Sequence, residues 1–235
     1  MNTRNTRNFL FIGLAVMLLV CGRSHGSILL DGFGTTQVLS DSQGTAVGPD
    51  IVGGERDTTA GAMLDINSAI PGQAQMINPS NPNPDAWRSV VFTYDGVDGS
   101  VSTSSLNGLG DLDLTQGGVN DRFRLNVTSA SHVAGTLTIS VNSILAQNLV
   151  VPLPAAPGIW DLPFADFRGV PFGGTNAVNF ADVGIIRFHF RIFPGESYTI
   201  DSIAAVPEPS TGVLLLAGAG IFGLFARRLR RAGVE

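Results

Sequence analysis

Apolar side chains recur at every second position in several short stretches of this chain. Phe123, Leu125 and Val127 alternate with Arg122, Arg124, Asn126 and Thr128, and Leu137, Ile139 and Val141 alternate with Thr138 and Ser140. Ile186, Phe188, Phe190 and Ile192 alternate with Arg187, His189 and Arg191, and Val90, Phe92 and Tyr94 form another such strip. A period of two puts one set of side chains on each face of an extended strand, so each stretch reads as a strand with one buried and one wet face, as in antiparallel sheets. Turn-forming clusters separate the strips: Gly53 and Gly54, residues 78–84, residues 95–99, Gly117 and Gly118, and Gly173 and Gly174. Helical periodicity is absent between them, and no repeat of fixed length is visible, which argues against a solenoid or propeller. The pattern predicts an all-β body, a two-sheet antiparallel sandwich or jelly roll.

Both ends are built differently. Residues 1–8 carry Arg4 and Arg7 and no acid, and residues 9–20 are an apolar run, the layout of a secretory signal peptide. Ser24 and Gly26 suit cleavage before Ser27, which assigns residues 1–26 to the signal. Cys21 is the single cysteine; Val20 before it is not the small residue a lipidation site requires, so the cysteine leaves with the signal and the exported protein folds without a disulfide. At the other end, residues 206–231 read VPEPSTGVLLLAGAGIFGLFARRLRR. Proline excludes regular helix, so Pro207, Glu208 and Pro209 form a stiff spacer. Residues 211–226 hold no charge and predict a transmembrane helix of ~24 Å, somewhat short of a ~30 Å hydrocarbon core. Arg227, Arg228, Arg230 and Arg231 follow at once, and the bias of basic residues toward the cytoplasm places everything before Val206 across the membrane.

This C-terminal order resembles the PEP-CTERM family, exported bacterial proteins whose Pro-Glu-Pro, apolar helix and basic tail are read by a membrane sorting enzyme, exosortase. Pro207, Glu208 and Pro209 match the tripeptide, and Arg227, Arg228, Arg230 and Arg231 match the basic end. The resemblance implies export across the inner membrane, a C-terminal anchor before processing, and residence at the cell surface or in an exopolysaccharide matrix afterwards. A second resemblance covers the body in outline. SILLDGFG from Ser27 and YTIDSI from Tyr198 look like the first and last strands of jelly-roll modules of the carbohydrate-binding and galactose-binding-like kind. In those modules the two strands pair, and by that likeness Asp31 and Asp201 become candidate ligands of a structural calcium.

Residues 27–205 are long enough for one domain. They hold seven arginines against 17 acids, a charge near −10 that excludes nucleic acid as a partner and suits a solvated exported protein. All 14 basic residues of the chain are arginine. Asp111 and Asp113 in GDLDLTQGGVND, with Asp121 beyond, offer oxygen ligands to calcium, although the spacing is not that of an EF-hand and turn chemistry accounts for them equally. No other cofactor is implied. Sugar recognition needs aromatic platforms; Trp160 among apolar neighbours reads as core, while Trp87 after the proline-rich loop is the candidate ligand-binding residue. The strip Arg187, His189, Arg191 is a ladder with steps of about 7 Å, suited to an acidic polysaccharide or to pairing with the surplus acids.

Catalysis finds little support. Only His132 and His189 remain after signal removal, no cysteine nucleophile is left, neither GxSxG nor HExxH occurs, and the body has two glutamates, Glu55 and Glu196. The expectation is therefore a non-catalytic, exported envelope or matrix protein associated with exopolysaccharide. The rivals are a dedicated polysaccharide-binding module and a glycan-cleaving enzyme using two facing carboxylates.

Overall fold

Ile28–Asp31 (β1) runs antiparallel beside Ser197–Pro207 (β11), with Ile28 opposite Ala205, so the first and last strands of the body close on each other. The computed structural model describes residues 26–81, 83, 86–101, 104–131, 134–143, 147–168 and 178–207. Between β1 and β11 lie Gln37–Val47 (β2), Glu55–Ile66 (β3), Ala74–Ile77 (β4), Arg88–Tyr94 (β5), Asn120–Ser131 (β6), Thr136–Val141 (β7), Leu149–Pro152 (β8), Gly158–Pro163 (β9) and Ile186–Ile192 (β10). Every pairing is antiparallel, as one-sided alternation requires.

The strands form one continuous sheet in the order β8-β7-β10-β5-β3-β4-β11-β6-β9, with β2 on the other edge of β3 and β1 on β11. Short β4 is the hinge of this arrangement. It pairs with the C-terminal half of β3 and with the N-terminal half of β11, whereas the other halves of those strands turn to β5 and β1. Beyond β4 the sheet therefore parts into two layers that face each other. Phe123 on β6 meets Phe188 on β10 with ring centroids 5.5 Å apart, although four strands separate β10 from β6 in the sheet order, so the contact crosses the sandwich. Phe123 also touches Phe164, Phe167 and Phe180, which makes it the hub of an aromatic cluster at that end of the core.

The four alternating strips occupy β5, β6, β7 and β10 with their apolar residues inward and buried. Gly53 and Gly54 (φ 73° and 85°) and Gly117 and Gly118 (φ 70° and 89°) sit in turns whose left-handed backbone favours glycine. β3 departs from the pattern. Its inward positions begin with Arg56 and Thr58 before Ala60, Ala62, Leu64 and Ile66, so polar residues stand where alternation predicts apolar ones.

Arg56 is fully buried because it has partners on both layers. Its Nη1 donates to Asp31 Oδ2 at 2.6 Å, its Nη2 to the Thr35 carbonyl at 3.2 Å and its Nε to Gln37 Oε1 at 3.3 Å. The Tyr94 hydroxyl donates to the same Asp31 oxygen at 2.9 Å, and the Phe33 N–H donates to Asp31 Oδ1 at 2.8 Å. The guanidinium lies between the rings of Phe33 and Phe92, 5.5 and 6.0 Å from their centroids. Burial pushes the Asp31 carboxyl above its ordinary range despite the attraction of Arg56 and three hydrogen bonds.

Among the described residues no helix is long and apolar enough to cross a membrane. Residues 1–25 of the expected signal segment, Glu208, Pro209, the expected transmembrane stretch 211–226 and the tail arginines lie outside the described residues, as do His132, Gly173 and Gly174.

Removing one member of the buried pair leaves the other uncompensated. Asp31→Ala should lower unfolding free energy by about 3–5 kcal/mol, read by urea denaturation, and the double replacement Asp31→Ala with Arg56→Met should restore a large part of that loss.

Candidate functional site

Two arginine ladders line the outer faces of the sandwich, and their surroundings differ. On β6, Arg124 makes a two-pronged ion pair with Asp161 of β9 (2.7 and 2.8 Å), and Arg122 does the same with Asp121 (2.8 and 3.0 Å). The Asp161 partnership raises the Arg124 pKa and lowers that of Asp161. Asn126 completes this face by donating to Asp201 Oδ2 at 2.8 Å. The charges there satisfy one another.

The ladder on β10 is set differently. With Ile186, Phe188, Phe190 and Ile192 pointing into the core, Arg187, His189 and Arg191 project outward, half-buried, about 7 Å apart per step. Antiparallel register places Thr93 and Ser140 beside Arg187, Val91 and Thr138 beside His189, and Ser89 and Thr136 beside Arg191. Those flanking positions hold hydroxyls and one valine, with no carboxylate. Trp87, just before β5 and on the same face, lies against Arg191 with the guanidinium 4.0 Å from the ring centroid, and Phe193 approaches it from the turn after β10 at 5.6 Å. Arg191 makes no ion pair among the described residues, and its Nε, like His189 Nε2, is buried without a hydrogen-bond partner there. Burial lowers the His189 pKa, and the flanking arginines lower it further, so the imidazole is neutral at pH 7.

One row further, the same face turns acidic. Asp57 on β3 is opposite Thr93, Glu55 is two residues before it, and Asp95 follows β5; all three are buried. Glu55 Oε2 accepts the N–H groups of Asp98 (2.9 Å) and Gly99 (3.0 Å), and Asp95 Oδ2 accepts that of Ser105 (2.9 Å). Glu55 Oε1 and Asp57 Oδ1 have no hydrogen-bond partner among the described residues. Burial and the charges of Asp95, Glu55 and Asp98 push the Asp57 pKa up to about 7. The face therefore runs from an aromatic and cationic end at Trp87 and Arg191 to an acidic end at Asp57 and Asp95, where Asp95 also lends its charge to Arg187.

The other residues singled out from sequence fall elsewhere. Trp160 packs against the core and Trp87 is 44 % exposed, while Tyr94 and Tyr198 are buried. Asp31 and Asp201 do not meet. Asp31 points into the core toward Arg56, while Asp201 is the extra residue of a bulge between Ile200 and Ser202 and bonds to Asn126 on the outer face. Asp113 caps its own turn, accepting from Thr115 N–H and hydroxyl and from Gly117 N–H, and these bonds lower its pKa. Asp111 faces Asp182, whose pKa its charge raises. Among the described residues no three His, Cys, Asp or Glu side chains gather as a metal site would require. The partnership of Trp87 with Arg191 and the acidic cluster on β3 were not legible in sequence, although the ERD run at the start of β3 carried the signal for the second.

Residues 205–231 match the PEP-CTERM protein-sorting motif, which marks an exported protein with a C-terminal sorting signal for exosortase. Similar solved structures include the family 11 carbohydrate-binding module of the cellulosomal cellulase Lic26A-Cel5E of Clostridium thermocellum, at 12% identity and TM-score 0.38, covering 79% of this chain and 97% of that one. A solution structure of CtCBM11 is similar at 11% identity and TM-score 0.38, with the same coverage of 79% and 97%. The Clostridium thermocellum module in complex with a β-1,3-1,4-mixed-linked tetrasaccharide follows at 14% identity and TM-score 0.35, covering 79% and 98%. Among curated proteins, none matches this chain.

Because Asp57 holds its proton more tightly folded, with a pKa of about 7, than at its ordinary 3.8, the folded state binds more protons between those values. Its contribution to stability is therefore complete below about pH 4 and is lost as pH rises through 7, with a slope of at most about 1.4 kcal/mol per pH unit. Asp57→Asn should flatten that part of the stability profile and raise the melting temperature at pH 8, as thermal scans across pH 4–8 will show.

Proposed function

We propose that this chain is an exported, non-catalytic matrix protein whose sandwich holds an anionic polysaccharide along the outer face of β10. The carrying observation is the Arg187, His189, Arg191 ladder, recessed among hydroxyl side chains, with Arg191 stacked on the exposed Trp87 and free of any ion pair among the described residues. A sugar ring offers an apolar face to Trp87 and hydroxyls to Thr136, Thr138 and Ser89, and a carboxylate or ester anion on that sugar complements the guanidinium of Arg191. The paired face on β6 offers no such opening.

The topology supports access to this face. The turn after β10 leads directly to Ser197, so the Trp87 and Arg191 end of the ladder adjoins the start of β11, whereas the sorting motif begins at the far end of the same strand. Along the strand, the steps from Ser197 to Ala205 separate the two by roughly 27 Å. A body tethered through its C-terminus presents the aromatic end of the ladder away from the tether.

Retention in native gels containing a uronate-rich polysaccharide tests the reading against a neutral glucan. Trp87→Ala and Arg191→Ala should each weaken binding to the acidic polymer by about tenfold, or ~1.4 kcal/mol, with the fold intact by circular dichroism. Unchanged retention in both variants would refute the assignment.

A further inference from the structure

The stack of Arg191 on Trp87 joins side chains from two strand ends, and one buried residue reaches the backbone beside both. Asn78 directly follows β4 and is 1 % exposed. Its own backbone is fixed one step beyond the β4–β11 ladder: its N–H donates to the Glu196 carbonyl at 3.0 Å, and its carbonyl accepts the Gly195 N–H at 2.9 Å. From that anchored position the side-chain Nδ2 donates to the Ala86 carbonyl at 3.2 Å and to the Ile192 carbonyl at 3.0 Å. Ala86 immediately precedes Trp87, and Ile192 immediately follows Arg191. Glu196 adds a second tie. Its Oε2 accepts the N–H of Phe193 at 2.7 Å and its Oε1 that of Ala134 at 2.8 Å, which holds the turn that brings the second ring to the Arg191 guanidinium.

A primary amide nitrogen carries two hydrogens, and here two carbonyls accept from it. Alanine at this position would leave both carbonyls without that donor, and aspartate would set carboxylate oxygens against them. We propose that Asn78 is the positioning residue of the stack: by holding the peptide before Trp87 and the peptide after Arg191 to one nitrogen, it sets the ring over the guanidinium before any ligand arrives. Ligand binding then requires little ordering at that end of the face. The fixed stack stands on these hydrogen bonds, whereas its consequence for binding rests on the proposed glycan reading.

Time-resolved fluorescence anisotropy of the full chain in mild detergent tests it, in a Trp160→Phe background that leaves Trp87 as the single tryptophan. With Asn78 in place the indole should follow the tumbling of the whole particle, with no faster depolarisation on the picosecond to nanosecond scale. Arg191→Ala removes the stacking partner and shows how a freed ring behaves. Asn78→Ala should gain a fast component of comparable amplitude while far-UV circular dichroism stays unchanged. Asn78→Asp, which keeps the shape of the side chain, should do the same and is the variant to read where Asn78→Ala does not fold. Its retention on the uronate-rich polysaccharide should fall about three- to tenfold. A ring as rigid as the native one in the folded variants, or a Trp87 already mobile with Asn78 intact, would overturn the inference. If the variants free the ring but the acidic polysaccharide retains no chain, the native one included, the positioning role stands and the glycan reading fails.

Discussion

The buried pair of Asp31 and Arg56 is the constraint around which the sandwich is assembled. Two ions removed from water demand complete coordination, and here the partners come from both layers: β1 supplies Asp31, β3 supplies Arg56, β5 supplies the Tyr94 hydroxyl, and β2 supplies Gln37. Thr58 donates to Gln37 Oε1, and Gln37 Nε2 donates to the Gly44 carbonyl, so the network also ties β2 to itself. Such a network adds little net energy compared with a well-packed apolar core, but it tolerates only one register. If β1 slid along β11 by one residue, Asp31 would face outward and Arg56 would lose its counter-ion.

Register then decides the site. Because β10 is pinned between β5 and β7 with its phenylalanines inward, its arginines and histidine stand in line on the outside, each flanked by residues from both neighbours. The β6 ladder has the same residue chemistry and the opposite outcome, since β9 places Asp161 beside it. Arg124 is neutralised because β9 lies alongside it, whereas the strands that flank β10 place only hydroxyls beside Arg191.

Much of the fold was legible along the chain. The strips in β5, β6, β7 and β10 were visible because a half-buried antiparallel strand must alternate, and β1 and β11 were visible as the first and last strands of a jelly-roll-like body. β2 and β3 were not, because Gln37, Arg56 and Thr58 occupy inward positions and erase the period-two signal where the buried network needs polar atoms. The candidate site was half legible for a related reason. The ladder lies within one strand and could be read locally, whereas the stacking of Arg191 on Trp87 joins residues of two strands brought together by the pairing of β10 with β5. Asp31 was a candidate ligand of a structural calcium by likeness to jelly-roll modules, and only its neighbour across the core showed that it pairs with Arg56.

By itself the amino-acid order determined the strand-built body, its acidic charge and the C-terminal sorting motif, because each of these depends on residues close together in the chain. The tertiary structure alone decided which charges are paired, which aromatic is exposed, and that the motif starts within the last strand. Those outcomes depend on contacts between distant segments, and burial, register and counter-ion distance have no value until the layers have closed.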